Sequence, residues 1–280
     1  MDLLAPLLNQ ISLAARVFFS GELCHLADFN ASGFVGHLHL LRSGRAALQI
    51  HGKEQITIVE PSVVFFPRPV THAFLPLDPD GIDLVCASID LGGGVRSPLA
   101  MSLPEYVILP NDDVMAVRLT LDLLFEEAFG QEFGRQATVD RLVECFLIQI
   151  LRHLIKSGMM KGGLFAALSD ARLSRAILSM HEKPGHPWHL EELADIAGMS
   201  RARFAVNFRQ TVGCTPLDYL TDWRLSVAQN LLKQGRPLKT VASAVGYRSP
   251  AALTRIFTRR IGISPTGWVD GAGNSDLVST

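Results

Sequence analysis

Hydrophobic positions change rhythm along the chain. Between Gly33 and Ile89 short apolar runs alternate with clusters of Gly, Pro, Asp and Ser: Gly36–Leu41, Ala46–Ile50, Ile56–Val59, Val63–Phe66, Ala73–Leu75 and Leu84–Ile89. Many short strands at this spacing predict a small β-barrel or jelly roll. From Asp113 to Phe129 and from Ala137 to Ile155 the period becomes helical. The apolar stripes there are Leu119, Leu123 and Leu124, then Leu142, Phe146, Ile150 and Leu154. The second stripe is long for covering a small barrel, which makes it either a lid on that barrel or an interface between two copies. The first residues, through Leu4, Leu7, Leu8 and Ile11, fit an amphipathic helix. With Asp2 and no basic run they do not read as a secretion signal.

The last third holds one structural sentence twice. Its first copy is Leu193–Gly198, Ser200, Phe204, Phe208, Gly213 and Pro216; its second is Val241–Gly246, Ser249, Leu253, Phe257, Gly262 and Pro265. In each copy an alanine-bearing apolar helix stops at a glycine, where a left-handed backbone costs least. A serine then stands where the next helix needs an N-cap. Apolar anchors four residues apart fix that helix, a glycine ends it, and a proline opens the following one. Two helix-turn-helix units follow, a motif that places a helix in the DNA major groove. Pro216 to about Lys233 reads as the helix joining them. At 1.5 Å per residue it spans roughly 27 Å, a rod suited to holding two recognition helices about one DNA turn apart.

Charge sharpens the division. The 280 residues carry a net −1, yet Asp170–Trp268 has 14 Lys and Arg against 7 Asp and Glu, a net of +7, and the rest is −8. The basic part suits a phosphate backbone and the acidic part does not, so the front should sense or assemble. Four cysteines without paired metal-ligand spacing fit a reducing cytoplasm, and no run is long and apolar enough to span a membrane.

The repeat, with Arg224-Leu225, Ala228 and Leu231-Leu232 of the joining helix, resembles the AraC/XylS family of bacterial transcription regulators over roughly Asp170 to Trp268. Asp170–Leu173 and Pro184–Trp188 are similar to a subgroup whose front domain is a cupin. The resemblance implies promoter binding and contact with RNA polymerase. It assigns base contacts to Ala202, Ala205 and Val206 in the first recognition helix, and to Pro250, Ala251, Thr254 and Arg255 in the second. Val206 stands where the family often has arginine, so the first helix is expected to meet thymine methyls, with Arg201 and Arg203 reaching phosphate or a guanine edge. Arg255 is the expected bidentate guanine reader. Arg209, Arg259 and Arg260 are expected backbone clamps.

In the front part, Glu60–Pro67 followed by His72 resembles the second half of a cupin, and His37-x-His39 the first. His37, His39 and His72 are therefore the candidate pocket residues. They are also candidate metal ligands, because alternate strand residues share a face. The glutamate of metal cupins is replaced by Ser43 and Gly44, so no cofactor is expected. Cys24 and Cys86 fall where an oxidant-responsive subgroup is similar to this chain, and closing that pair would tie the N-terminal arm to the barrel. His25 is expected to lower the pKa of Cys24. Cys86 as a core thiol and Cys24 as a merely exposed one is the other reading.

The expected organisation is α+β: a cupin-like β-barrel with dimerisation helices over residues 1–156, a linker over 157–169, an all-α double helix-turn-helix domain over 170–268 and a tail over 269–280. The expected function is a cytoplasmic, nucleoid-associated DNA-binding regulator, an activator and not an enzyme. It would act as a homodimer controlled by cysteine oxidation or a small effector. A metal-dependent cupin enzyme with a DNA-binding tail is the alternative.

Overall fold

The computed structural model describes residues 4–11, 13–31, 35–111, 117–160 and 162–272. Among the described residues nine strands occupy the first part: β1 (Leu13–Leu23), β2 (Ala27–Phe29), β3 (Gly36–Ser43), β4 (Ala46–Ile50), β5 (Ile56–Ile58), β6 (Ser62–Phe66), β7 (His72–Pro76), β8 (Ile82–Leu91) and β9 (Val107–Pro110). Helix α1 (Leu4–Gln10) precedes them and α2 (Pro98–Met101) interrupts them. After them come α3 (Arg118–Phe129), α4 (Arg135–Lys156), α5 (Gly163–Ser169), α6 (Leu173–Glu182), α7 (Leu190–Ala197), α8 (Arg201–Val212), α9 (Pro216–Lys233), α10 (Leu238–Ala244), α11 (Pro250–Ile261) and α12 (Pro265–Ala272). The chain divides into two compact units. One is formed by residues 13–90 and 104–157, the other by 158–272 together with 4–11 and 91–103.

The first unit stacks two antiparallel sheets, ordered β1-β8-β3-β6-β9 and β2-β7-β4-β5. Register follows from burial. His39 lies opposite both Cys86 and Val64, so β3 sends His39 and Leu41 to the same face as Val64, Phe66, Leu84 and Cys86. That face packs with Phe29, Leu48, Ile50, Ile58 and Phe74. The alternate residues Leu38, Leu40, Val63, Phe65 and Val85 are buried as well, which explains why these strands read as unbroken apolar runs.

The N-terminal segment departs from expectation. The helix stops at Gln10, and an eleven-residue strand takes over from Leu13. Helix α4 seals the edge of that strand. The Val17 amide donates to Asp140 Oδ1 at 2.7 Å, and Gln136 Nε2 donates to the Val17 carbonyl at 2.8 Å. Of the expected α4 stripe Phe146, Ile150 and Leu154 are buried and Leu142 is half-buried; Val139, Val143, Leu147 and Leu151 are buried with them, so most of the stripe packs within the chain. The α3 stripe is shifted from the expected one. Leu121, Leu124 and Phe125 are buried, while Leu119 and Leu123 are 87% and 49% exposed. The expected start of that helix at Asp113 lies outside the described residues.

In the second unit the repeated sentence is written in backbone geometry. Gly198, Gly213, Gly246 and Gly262 all have positive φ, between 65° and 94°, a region that residues with a Cβ disfavour. Ser200 Oγ accepts from the Arg203 amide and Ser249 Oγ from the Ala252 amide, capping α8 and α11. Thr215 caps α9, accepting from the Asp218 amide, with Pro216 in the first turn. Residues 4–11 and 91–103, which the sequence reading places in the front domain, group with this unit. Asn230 Nδ2 on α9 donates to the Gln10 carbonyl at 3.1 Å. A Cβ built on Gly93 would stand 2.1 Å from Ser226 Oγ, so the backbone at 93 lies directly on α9.

Candidate functional site

Two recognition helices and one buried histidine cluster carry the chemistry. On α8, Phe204 and Phe208 are fully buried and hold the helix against its unit, which turns Arg201, Ala202, Arg203, Val206 and Arg209 to solvent, with Ala205 half-buried. On α11, Leu253 and Phe257 do the same. Ala251, Arg255 and Arg259 are exposed, and Pro250 and Thr254 are half-buried. All the expected DNA-reading positions thus lie on accessible faces. Val206 is 57% exposed, an apolar side chain offered to solvent beside arginines.

The arginines differ in their freedom. Arg203, Arg209, Arg255 and Arg259 have no ion pair among the described residues. Arg201 Nη1 reaches back to Glu191 Oε1 at 2.8 Å. Arg260, expected as a backbone clamp, is bound instead to Asp218 and faces Asp222 at 3.7 Å. Those contacts hold the Asp218 carboxyl below the usual carboxylate range: its bond from Thr215 comes first and that from Arg260 second. Arg224 is equally committed, donating to the carbonyls of Pro184 and His186 at 2.6 and 2.7 Å. This explains why an arginine stands at that place in the joining helix: it ties α9 to the loop before α7.

In the first unit, β3 and β7 bring His37, His39 and His72 together, with one ligand nitrogen of each within 4.8 Å of the others. His39 Nε2 is 2.8 Å from His72 Nε2, His72 Nδ1 is 2.7 Å from the Val70 carbonyl, and His39 Nδ1 is 3.1 Å from Cys86 Sγ. These contacts fix the tautomers of neutral rings. A carbonyl accepts only, so His72 carries its proton on Nδ1 and accepts at Nε2. His39 therefore donates from Nε2, and its Nδ1 accepts the Cys86 thiol proton. Burial keeps the rings neutral: it lowers His37 and His72 to about 4, and His39 well below its ordinary value with help from His72 and His37. Phe29 stacks on His72 at 5.1 Å and Phe66 at 4.0 Å, with Phe74 beside His39 at 5.0 Å. Aromatic side chains therefore flank the His39 and His72 rings. A shallower polar hollow of about 340 Å³ lies beside His72, lined by Asp28, Gln49, His51 and Lys53 among others.

A divalent ion would be held by these imidazoles only if the His39 proton moved from Nε2 to Nδ1, facing Cys86, so that the His39–His72 hydrogen bond opened. Both Nδ1 atoms of the His39–His72 pair are anchored, their Nε2 atoms converge, and His37 Nδ1 is buried without a partner among the described residues.

The structure does not bring Cys24 and Cys86 together. Cys86 is fully buried and Cys24 is exposed. A Cβ built on Gly81, the residue before β8, would stand 3.1 Å from Cys24 Sγ. Cys86 lies five residues further along that strand, about 16 Å away at the usual strand rise. A disulfide, whose Cα atoms must approach within about 7 Å, therefore needs the chain to move. Cys24 also shifts in the opposite direction to the lowering expected beside His25. Cys24 Sγ donates to Glu22 Oε1 at 3.3 Å, and that bond pushes the thiol pKa up. Burial pushes Cys86 up as well. The Cys86–His39 contact was not foreseen, because only the β3–β8 register pairs those residues.

Comparison with known proteins agrees with this architecture. Residues 2–156 match the Cupin family model and residues 193–270 the Helix-turn-helix domain model. The chain is 32% identical over 232 residues to the RCS-specific HTH-type transcriptional activator RclR of Escherichia coli, covering 81% of each protein. It is 36% identical over 169 residues to an HTH-type transcriptional regulator of Haemophilus influenzae, covering 60% of this chain and 56% of that one. The structure of ToxT from Vibrio cholerae superimposes with a TM-score of 0.44 at 14% identity, covering 92% of this chain and 97% of that one. The relatives include proteins described as AraC-like. With a cupin model over its first half, a helix-turn-helix model over its last third and a relative matched across most of both lengths, the chain belongs to the cupin-fronted branch of the AraC-type helix-turn-helix transcriptional regulators.

Proposed function

We propose that this protein activates transcription by reading two successive major-groove faces of a double-stranded promoter, working in the bacterial cytoplasm with RNA polymerase as its partner. The observation that carries the reading is the pair of capped recognition helices, each buried on one side and presenting unpaired arginines on the other. The role is binding, not catalysis. Ala202, Ala205 and Val206 meet thymine methyls, Arg255 reads a guanine, and Arg203, Arg209 and Arg259 hold phosphates.

An operator titration with the full chain tests this. Arg255→Ala should weaken binding to the preferred site by about tenfold or more, roughly 1–3 kcal/mol, and relax the preference at one base pair. Arg259→Ala should weaken all sequences about equally and reduce the salt slope by about one. If both variants behave alike, with no base pair losing its preference in Arg255→Ala, the assignment of Arg255 fails.

Control is proposed to come from oxidation of Cys24 and Cys86 or from a small effector, with the protein dimeric through a surface that includes exposed Leu119 and Leu123. In the oxidative version two thiols lose two protons and two electrons to the oxidant and form one disulfide. Cys24→Ser should then abolish the peroxide response, and peptide mapping should show Cys24 linked to Cys86. Full activation of Cys24→Ser by peroxide would exclude that version. The convergent imidazole nitrogens support one further occupant, a zinc-like ion held by His37, His39 and His72. Metal analysis of purified protein and of a His39→Leu variant decides it: stoichiometric metal lost in the variant supports the site, and no metal in either rejects it.

A further inference from the structure

The unit that reads DNA contains a cavity of about 510 Å³, inside the range of small-molecule sites. Its apolar lining includes Pro98, Met101, Val212 and Tyr219. Arg96 and Asp222, paired with each other, supply its charged lining, and the Gly213–Cys214 turn between α8 and α9 also lines it. We infer that this cavity is the effector seat, and that it takes an amphipathic organic anion, a carboxylate on an apolar body, with Arg96 as the headgroup partner.

The loosest charge at the cavity decides the sign of the ligand. Arg96 is 45% exposed on its side chain, and both its contacts to Asp222 are 3.4 Å, well beyond the 2.7–2.9 Å typical of charge-assisted bonds. Asp222 has a second guanidinium in Arg260, so it keeps a counter-charge if Arg96 turns to a ligand. A cationic headgroup finds no such vacancy. Asp222 already faces two arginines, and Asp218 is taken by Arg260 and Thr215. Cys214 does not act as a nucleophile here, because burial followed by the nearby Asp222 and Asp218 pushes its thiol up to about 11.

The apolar body has a wall waiting. Met101 is 61% exposed, a large thioether side chain, and such side chains adapt to ligands of varied shape. By contrast, the front unit's histidines are flanked by Phe29, Phe66 and Phe74, and the hollow beside His72 is smaller, about 340 Å³, and more polar. Occupancy of the 510 Å³ cavity touches the end of recognition helix α8 and the start of α9 together, which is where binding could bias how the two recognition helices are presented. That coupling rests on the regulator reading given above. The binding itself does not.

Calorimetry on the full chain with three probes of one shape tests the site: biphenyl-4-carboxylate, its primary amide and 4-phenylbenzylamine. The carboxylate should bind at least about tenfold more tightly than the amide, and the amine no better than the amide. Arg96→Gln should bring carboxylate and amide within about twofold of each other, Arg96→Lys should restore most of the difference, and Met101→Asp should weaken both. Preference for the amine, a carboxylate preference that survives Arg96→Gln, or no binding by any probe at about 1 mM would overturn the assignment. Operator titration of the ligand-free protein checks the regulator reading separately, and unchanged operator affinity at saturating carboxylate would reject the coupling.

Discussion

Trp223→Ala should unfold the DNA-reading unit near physiological temperature while leaving the first unit's sheet signal in place. Trp223 lies at the middle of α9 and is fully buried. Its ring stacks on His181 at 3.7 Å, and His181 in turn bonds the Tyr219 hydroxyl at 2.7 Å. Burial holds His181 near 3, so the stack is between neutral rings. Truncating a buried tryptophan removes its transfer energy and leaves a cavity, together about 3–5 kcal/mol. For a unit of this size each 1 kcal/mol moves Tm by about 3–5 °C, so a loss of about 10 °C or more is expected. The helix joins both helix-turn-helix units, so the loss takes both recognition helices with it and operator binding disappears. Trp223→Phe, which keeps a ring over His181, should cost much less. Thermal melts followed by circular dichroism, with operator binding measured below and above the transition, check this. A change in Tm of under about 4 °C for Trp223→Ala would mean that α9 is not the spine of the unit.

The parts that were legible in the sequence are those written locally. Positive-φ glycines, serine caps and a proline in the next first turn each act over a few residues, so the repeat could be read from spacing and appears as such at Gly198, Ser200, Gly213 and Pro216. The strands from Gly36 to Leu91 were legible because turn residues punctuate them. Strand β1 was not, because between Leu4 and Phe19 Pro6, Asn9 and Ser12 stand singly and form no turn cluster, and short apolar runs leave helix and strand unresolved.

Relations between distant segments were the least visible. His37, His39 and His72 could be grouped by analogy, yet the placing of the Cys86 thiol on His39 depends on a cross-strand register. The grouping of residues 91–103 with α9, through Gly93 on Ser226 and Arg96 on Asp222, leaves no periodic trace. Arg260 shows the same limit from the other side. A residue on a recognition helix reads as a DNA contact until the structure shows it bound to two carboxylates.

Mild acid should destabilise the first unit well before its carboxylates titrate. Burial lowers His37 and His72 to about 4 and His39 further, whereas in the unfolded chain each takes its proton near pH 6.5. Below 6.5 the unfolded state therefore binds more protons than the folded one, and stability falls with pH until the folded values are reached. The contribution is fully present above about pH 6.5 and is lost on descending toward 4. Each imidazole contributes up to roughly 1.4 kcal/mol per pH unit in that window, so the step from pH 7 to pH 5 costs about 2 kcal/mol per ring and several in total. Cys86, held above its ordinary value, stays a neutral thiol throughout, Phe29, Phe66 and Phe74 do not titrate, and the titratable neighbours Asp28, His51 and Lys53 line the open hollow beside His72. Denaturant melts monitored by the sheet signal at pH 7, 6 and 5 give the slope directly. His72→Phe should flatten it by about a third if it folds. His37→Leu, which removes a half-buried ring whose Nδ1 has no partner among the described residues, should do so with less structural cost. Stability that does not change between pH 7 and 5 would mean that the three rings already carry a compensated charge or a bound ion, and would shift the chemistry of this cluster from neutral packing to coordination.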